Sequence, residues 1–132
     1  MIKFQDLKVG DLVIAEFEGQ KMEGVVMELN AEEKEICIET DVQEFWFTPE
    51  HLFPIPLDDE QLRKLNFQKK ENGDNSVKYM KGAFRVLLPE KGNFSRMEIW
   101  WREDHRHLNQ PIFVHELQNH HYQMTKVELN RD

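Results

Sequence analysis

In the first half of the chain, apolar residues come in short alternating runs. The spacing becomes helical only in two stretches of the second half. Leu12 and Ile14 alternate with Val13 and Ala15, and Gly10-Asp11 precedes them as a turn. Gly19-Gln20 reads as a hairpin tip, "MEGVVMEL" as the return strand with a bend at Gly24, and "AEEKE" (31–35) as a polar turn. "EICIET" and "EFWFTPEHL" supply two further strands. Several strands of about five residues within sixty point to a small curled barrel of the SH3-like type. Its expected core is Leu12, Ile14, Val25, Ile36 and Ile38.

The second half opens on a helix. Asp58 or Asp59 is placed to cap it, and the acidic "DDE" suits its positive N-terminal end. Leu62 and Leu65 share a face, and the helix should stop near Asn66, with Phe67 packing back. "ENGDNS" (71–76) and "EKGN" (90–93) read as turns between antiparallel strands. One strand places Phe84, Val86 and Leu88 on one face; another places Met97, Ile99 and Trp101 on one face and Trp100 on the other. "EDHRHLNQP" reads as a polar loop, and Pro111 as the first residue of a C-terminal helix carrying Phe113, Leu117 and Met124 on its apolar stripe. His120 falls on that stripe and His115 opposite it. "KVELN" closes as a short strand or an extended tail.

Charge then divides the chain. Residues 1–57 hold four lysines and no arginine against thirteen acidic residues, a balance of −9, whereas residues 58–132 balance at +1. The change falls at "FPIPLDD", which sets the expected boundary between a barrel (1–57) and a small α+β unit (58–132). Each half is small, so the aromatics at 45–47 and 100–101 are expected to join the two halves. A 32% charged chain with no long apolar run, and an N-terminus without an apolar signal core, lead us to expect a cytoplasmic protein that does not enter membranes. Cys37 is the sole cysteine, which rules out an intrachain disulfide, and its neighbours Ile36 and Ile38 suggest an inert strand thiol.

"VHELQNHH" (114–121) imitates a zinc-protease helix, which needs histidines at i and i+4 with a glutamate beside the first. Here position 119 is Asn, and His120 lies five residues after His115, roughly 140° around a helix. The two cannot share an ion. In "HRH", His105 and His107 would point the same way on a strand, but Arg102 and Arg106 sit among them and oppose a cation. No metal and no cofactor are therefore expected, and the melting temperature should not respond to chelator. There is no Gly-x-Ser-x-Gly elbow and no phosphate loop, since "GDNS" lacks the lysine and the following helix. No enzyme is expected.

Two blocks carry a resemblance. "PIPLDDEQLRKLNFQKK" (54–70) and "VHELQN" (114–119) resemble segments of small proteins from Bacteroidetes phages and prophages, and "LKVGD" (7–11) resembles their usual strand entry. Asn66 stands where those proteins have Gly, and Asn also tolerates a left-handed helix end. The resemblance implies a phage or mobile-element setting and no activity.

The sequence thus predicts a mainly β chain, an SH3-like barrel packed on a small α+β unit, that acts as a non-enzymatic binding module. A protein partner is the leading expectation, met by the acidic barrel with Phe45, Trp46 and Phe47. Presentation of acidic residues in imitation of a nucleic acid is a variant of it. The rival is a nucleic-acid-associated factor using Arg96, Trp100, Arg102 and Arg106, since arginine and aromatic side chains suit single strands.

Overall fold

The computed structural model describes residues 2–131. The chain separates into two compact units between Ile55 and Pro56, so Pro56 and Leu57 belong to the second unit rather than to the first. It is mainly β, with ten strands in two antiparallel sheets and two α-helices among the described residues. No helix among them is long and apolar enough to cross a membrane.

The first unit is a meander. β1 (Leu12–Phe17), β2 (Gln20–Asn30), β3 (Glu35–Glu39) and β4 (Glu44–Phe47) follow one another, and β5 (Leu52–Phe53) returns to β1, giving the order β4-β3-β2-β1-β5. The β1–β2 tip is Glu18-Gly19, one residue earlier than the pattern suggested. Both residues have positive φ (52° and 80°), as the tight turn that matches strand twist requires. Ahead of β1, the fully buried Asp11 carboxylate accepts from the Lys8 backbone N–H at 3.0 Å and from its ammonium at 2.8 Å. That pairing allows a charge inside the unit.

The sheet curls strongly. Flat strands sit about 4.8 Å apart, so β1 and β4, with two strands between them, would lie about 14 Å apart. Yet the rings of Phe17 and Phe45 are 5.2 Å apart. No ladder joins β4 to β5 among the described residues, so the curled sheet is not a closed barrel. Its core corrects the expected phase: Ile36 and Ile38 point inward, but the positions expected for Ile14 and Val25 are taken by Val13, Ala15 and Val26. Ile14 and Val25 are only half-buried, and Leu12 is buried outside that cluster. "LVIA" is apolar on both faces, so alternation alone could not set the phase. Cys37, buried in β3, donates to the Glu44 carboxylate at 3.4 Å. Burial, then Glu44, pushes its thiol pKa up to about 11, so almost none is thiolate at neutral pH.

In the second unit α1 (Asp59–Lys64) precedes a five-strand meander: β6 (Gln68–Glu71), β7 (Val77–Lys81), β8 (Phe84–Leu88), β9 (Met97–Trp101) and β10 (Asp104–Leu108). α2 (Val114–Thr125) follows. Asp58 caps α1 by accepting from the Gln61 N–H at 2.9 Å, and Asn66 takes the left-handed conformation (φ 68°) just beyond its end. Val77, Tyr79, Phe84, Val86, Met97 and Ile99 line the inner face of the sheet, where both helices pack. Phe84 meets Phe67, just after α1, at 6.1 Å and His121 of α2 at 4.6 Å.

Two expectations are corrected here. "DHRHL" is the edge strand β10, not a loop, because its backbone pairs residue for residue with β9. α2 begins at Val114, with Phe113 as its N-cap residue and Pro111 outside. The Glu116 carboxylate accepts from the Phe113 N–H at 2.8 Å, which fixes that start. The buried face therefore runs through Val114, Leu117, Gln118, His121 and Met124. His115 and His121 are buried, while His120 is half-buried and Phe113 exposed. The described residues after α2 have no regular structure, but Gln118 donates to the Leu129 carbonyl at 2.7 Å and Arg131 to the Gln61 side chain at 2.5 Å.

The Tyr79 hydroxyl donates to Asp59 at 2.7 Å, with Lys69 at 3.0 Å and Arg63 at 2.8 Å from the same carboxylate. The Tyr79 bond, followed by Lys69 and Arg63, holds the Asp59 carboxyl below its ordinary range. A depressed folded pKa gives stability that is present above the unfolded value, about 3.9, and lost as pH falls through the folded one. Tyr79→Phe should cost about 1 kcal/mol near neutral pH, less than the usual value for a bond to a charged group because Asp59 is 39% exposed. It should also flatten the acid limb below about pH 4, read by urea denaturation at a series of pH values.

Candidate functional site

A groove of the first unit lies where the β1–β2 tip leans over β4. The curl brings Glu16, Phe17, Glu18 and Gly19 from the tip against Glu35, Phe45, Trp46, Phe47, Thr48 and His51. The groove they form encloses about 340 Å³. Its apolar wall is exposed: Phe17 is 40%, Phe45 45% and Trp46 38% accessible. Phe45 packs edge-on against Phe47 at 5.6 Å, so Phe47 acts as the buried floor of the wall. A second cavity of about 200 Å³ lies beside it, lined by Ala15, Met22, Val42 and the same Phe17 and Phe47.

Water-exposed aromatic clusters cost free energy unless something covers them. Here three carboxylates, Glu16, Glu18 and Glu35, stand around the rings with no Lys or Arg in the lining. None of the three has a side-chain ion pair among the described residues. A groove with acidic rims and low-dielectric walls concentrates negative potential. Aromatic faces add attraction for a cation placed over them. Chemically the groove can hold an extended segment that offers a Lys or Arg side chain.

All three predicted residues of this unit, Phe45, Trp46 and Phe47, line the groove, and Phe47, on the same face of β4 as Phe45, is the one that is buried. The sequence reading missed Phe17, Glu16 and Glu18. Their signal was present as an apolar residue between two acids at a hairpin tip, where apolar residues are uncommon. The other four predicted residues lie in the second unit and do not converge. Arg96 is exposed just before β9. Trp100 lies on the outer face of the sheet, with the Arg85 guanidinium over it at 5.4 Å. Arg102 stands over Trp101 at 4.8 Å. Arg106 points to the opposite face, donating to Gln123 at 2.9 Å and lying 2.8 Å from His120 Nδ1. Burial, then Arg106, lowers the His120 pKa.

His115 is buried in α2 and His120 is half-buried beside Arg106. No protein-family model, curated protein or solved structure matches this chain.

Proposed function

We propose that the chain is a non-enzymatic binding module whose first unit holds a partner protein's extended segment through a Lys or Arg side chain. The observation that carries this reading is the groove in which exposed Phe17, Phe45 and Trp46 are ringed by unpaired Glu16, Glu18 and Glu35. We read the first unit as an SH3-like barrel left open at one seam. Support comes from its five-strand meander with a 3₁₀ turn, Pro49–His51, between β4 and β5. The resemblance of "PIPLDDEQLRKLNFQKK" and "VHELQN" to phage and prophage proteins suggests a mobile-element setting, and the charged chain without a long apolar run suggests a cytoplasmic site of action. A second reading, single-stranded nucleic acid on the outer face of the second sheet, is favoured by Arg85 over Trp100.

The test uses the full chain with labelled peptides of varied sequence and labelled single-stranded RNA. Peptides containing Lys or Arg should bind, more weakly as salt rises. Trp46→Ala should weaken that binding by about thirtyfold or more, as expected when a central aromatic anchor is lost, with the circular dichroism spectrum unchanged. Bulk charge attraction to an acidic chain would not respond to Trp46→Ala. Peptide binding indifferent to that change, or binding of RNA alone with Trp100→Ala as the damaging substitution, would overturn the proposal.

A further inference from the structure

The outer face of the β9–β10 hairpin brings together Glu98, His105 and His107. β10 points both histidines to one side because they are two residues apart on a strand. Glu98 is the register partner of His107 and the diagonal neighbour of His105. His105 Nε2 lies 2.8 Å and His107 Nδ1 3.6 Å from the same carboxylate oxygen, Glu98 Oε1, and the three donor atoms all fall within 4.8 Å of one another. Tetrahedral Zn²⁺ with ligands near 2.0–2.1 Å needs donor atoms about 3.3 Å apart. The observed 2.8 and 3.6 Å lie on either side of that value, and the two imidazole donors lie within 4.8 Å of each other.

We infer that Glu98, His105 and His107 form a three-ligand site for a divalent transition metal of the zinc class, open to solvent at the remaining position. Two imidazoles and one carboxylate are a ligand set such ions accept, and Cu²⁺ and Ni²⁺ should bind as well. The neighbours are arranged to hold the ligands still. Trp100 packs on the His105 ring at 4.6 Å, and the two imidazoles lie 4.4 Å apart. The objection raised by the sequence, that Arg102 and Arg106 sit within the histidine cluster, does not hold in space. Arg106 is on the opposite face, engaged with α2, and Arg102 stands over Trp101, whose side of β9 faces away from Trp100. Arg85 stands on the same face as the histidines. It lies two strands from His105, roughly 10 Å by strand spacing, where solvent screens it. The donors sit on a formed sheet, so a metal would add modest stability rather than drive folding, unlike the closed sites of zinc fingers.

The test is titration of the tag-free full chain with ZnCl₂ and, separately, NiCl₂, followed by calorimetry and tryptophan fluorescence. One ion per chain should bind in the micromolar range. Ni²⁺ should quench fluorescence reversibly with EDTA, and Trp100→Phe should remove most of that quenching while leaving calorimetric binding intact. His105→Ala, His107→Ala and Glu98→Gln should each weaken binding by at least about tenfold, and His120→Ala should not. Imidazole ligands must be unprotonated, so affinity should fall in acid. Unchanged circular dichroism of each variant provides the control for folding. Absence of saturable binding of either ion, or binding that survives His105→Ala and Glu98→Gln, would overturn the inference.

Discussion

Phe84→Ala should destabilise the second unit by about 3–5 kcal/mol, the usual cost of deleting a fully buried phenyl ring. Phe84 is 1% accessible. It sits at the start of β8, with Phe67 against it from the α1 side and the imidazole of His121 against it from α2. Deleting the ring removes burial and leaves a cavity bounded by a sheet and two helices, none of which can close it alone. Phe84→Leu keeps most of the volume and should cost about 1–2 kcal/mol. Urea denaturation followed by tryptophan fluorescence would read both variants. A Phe84→Ala loss below that of Phe84→Leu would show that the ring is not the keystone this packing implies.

Gly24→Ala carries the second large effect. Glycine within a strand is ordinarily a weakness, and alanine there would be expected to gain about 0.5–1 kcal/mol. Here a Cβ on Gly24 would stand 2.5 Å from Ile38 Cγ2 and 2.8 Å from the Glu39 carbonyl oxygen. The oxygen belongs to the backbone of β3, which is hydrogen-bonded to β2 and cannot give way without breaking the ladder. The clash decides the sign, and a net loss of about 2 kcal/mol is expected, typical of overpacking. The β1–β2 tip would shift with the strand, so the groove around Phe17 and Phe45 should lose binding as well. Denaturation that leaves Gly24→Ala as stable as the parent would refute the close approach.

The acidic first half and the aromatic run at 45–47 identified the half of the chain that holds the groove, but they did not define the groove itself. Phe17 and Phe45 are twenty-eight positions apart and belong to strands that are not neighbours in the sheet. Only the curl brings them together, and curl depends on how four strands pair rather than on any one run of residues. The histidines follow the same logic. "HRH" is polar on both faces, so its own pattern gives no reason to prefer a strand to a loop. The pairing of Asp104–Leu108 with Met97–Trp101 makes it a strand and sets Glu98 beside His107.

Features decided by chemistry within a few residues were legible along the chain. A capped helix start at Asp58 or Asp59, Asn66 as a left-handed stop, and the alternation of β8 and β9 all rest on contacts within a few residues. Tertiary structure decided the inward phase of β1, the start of α2 and the strand state of Asp104–Leu108. In β1 both faces are apolar, and in β10 both are polar, so each choice cost little locally. The neighbouring strand, which rewards one phase with hydrogen bonds and burial, broke those ties.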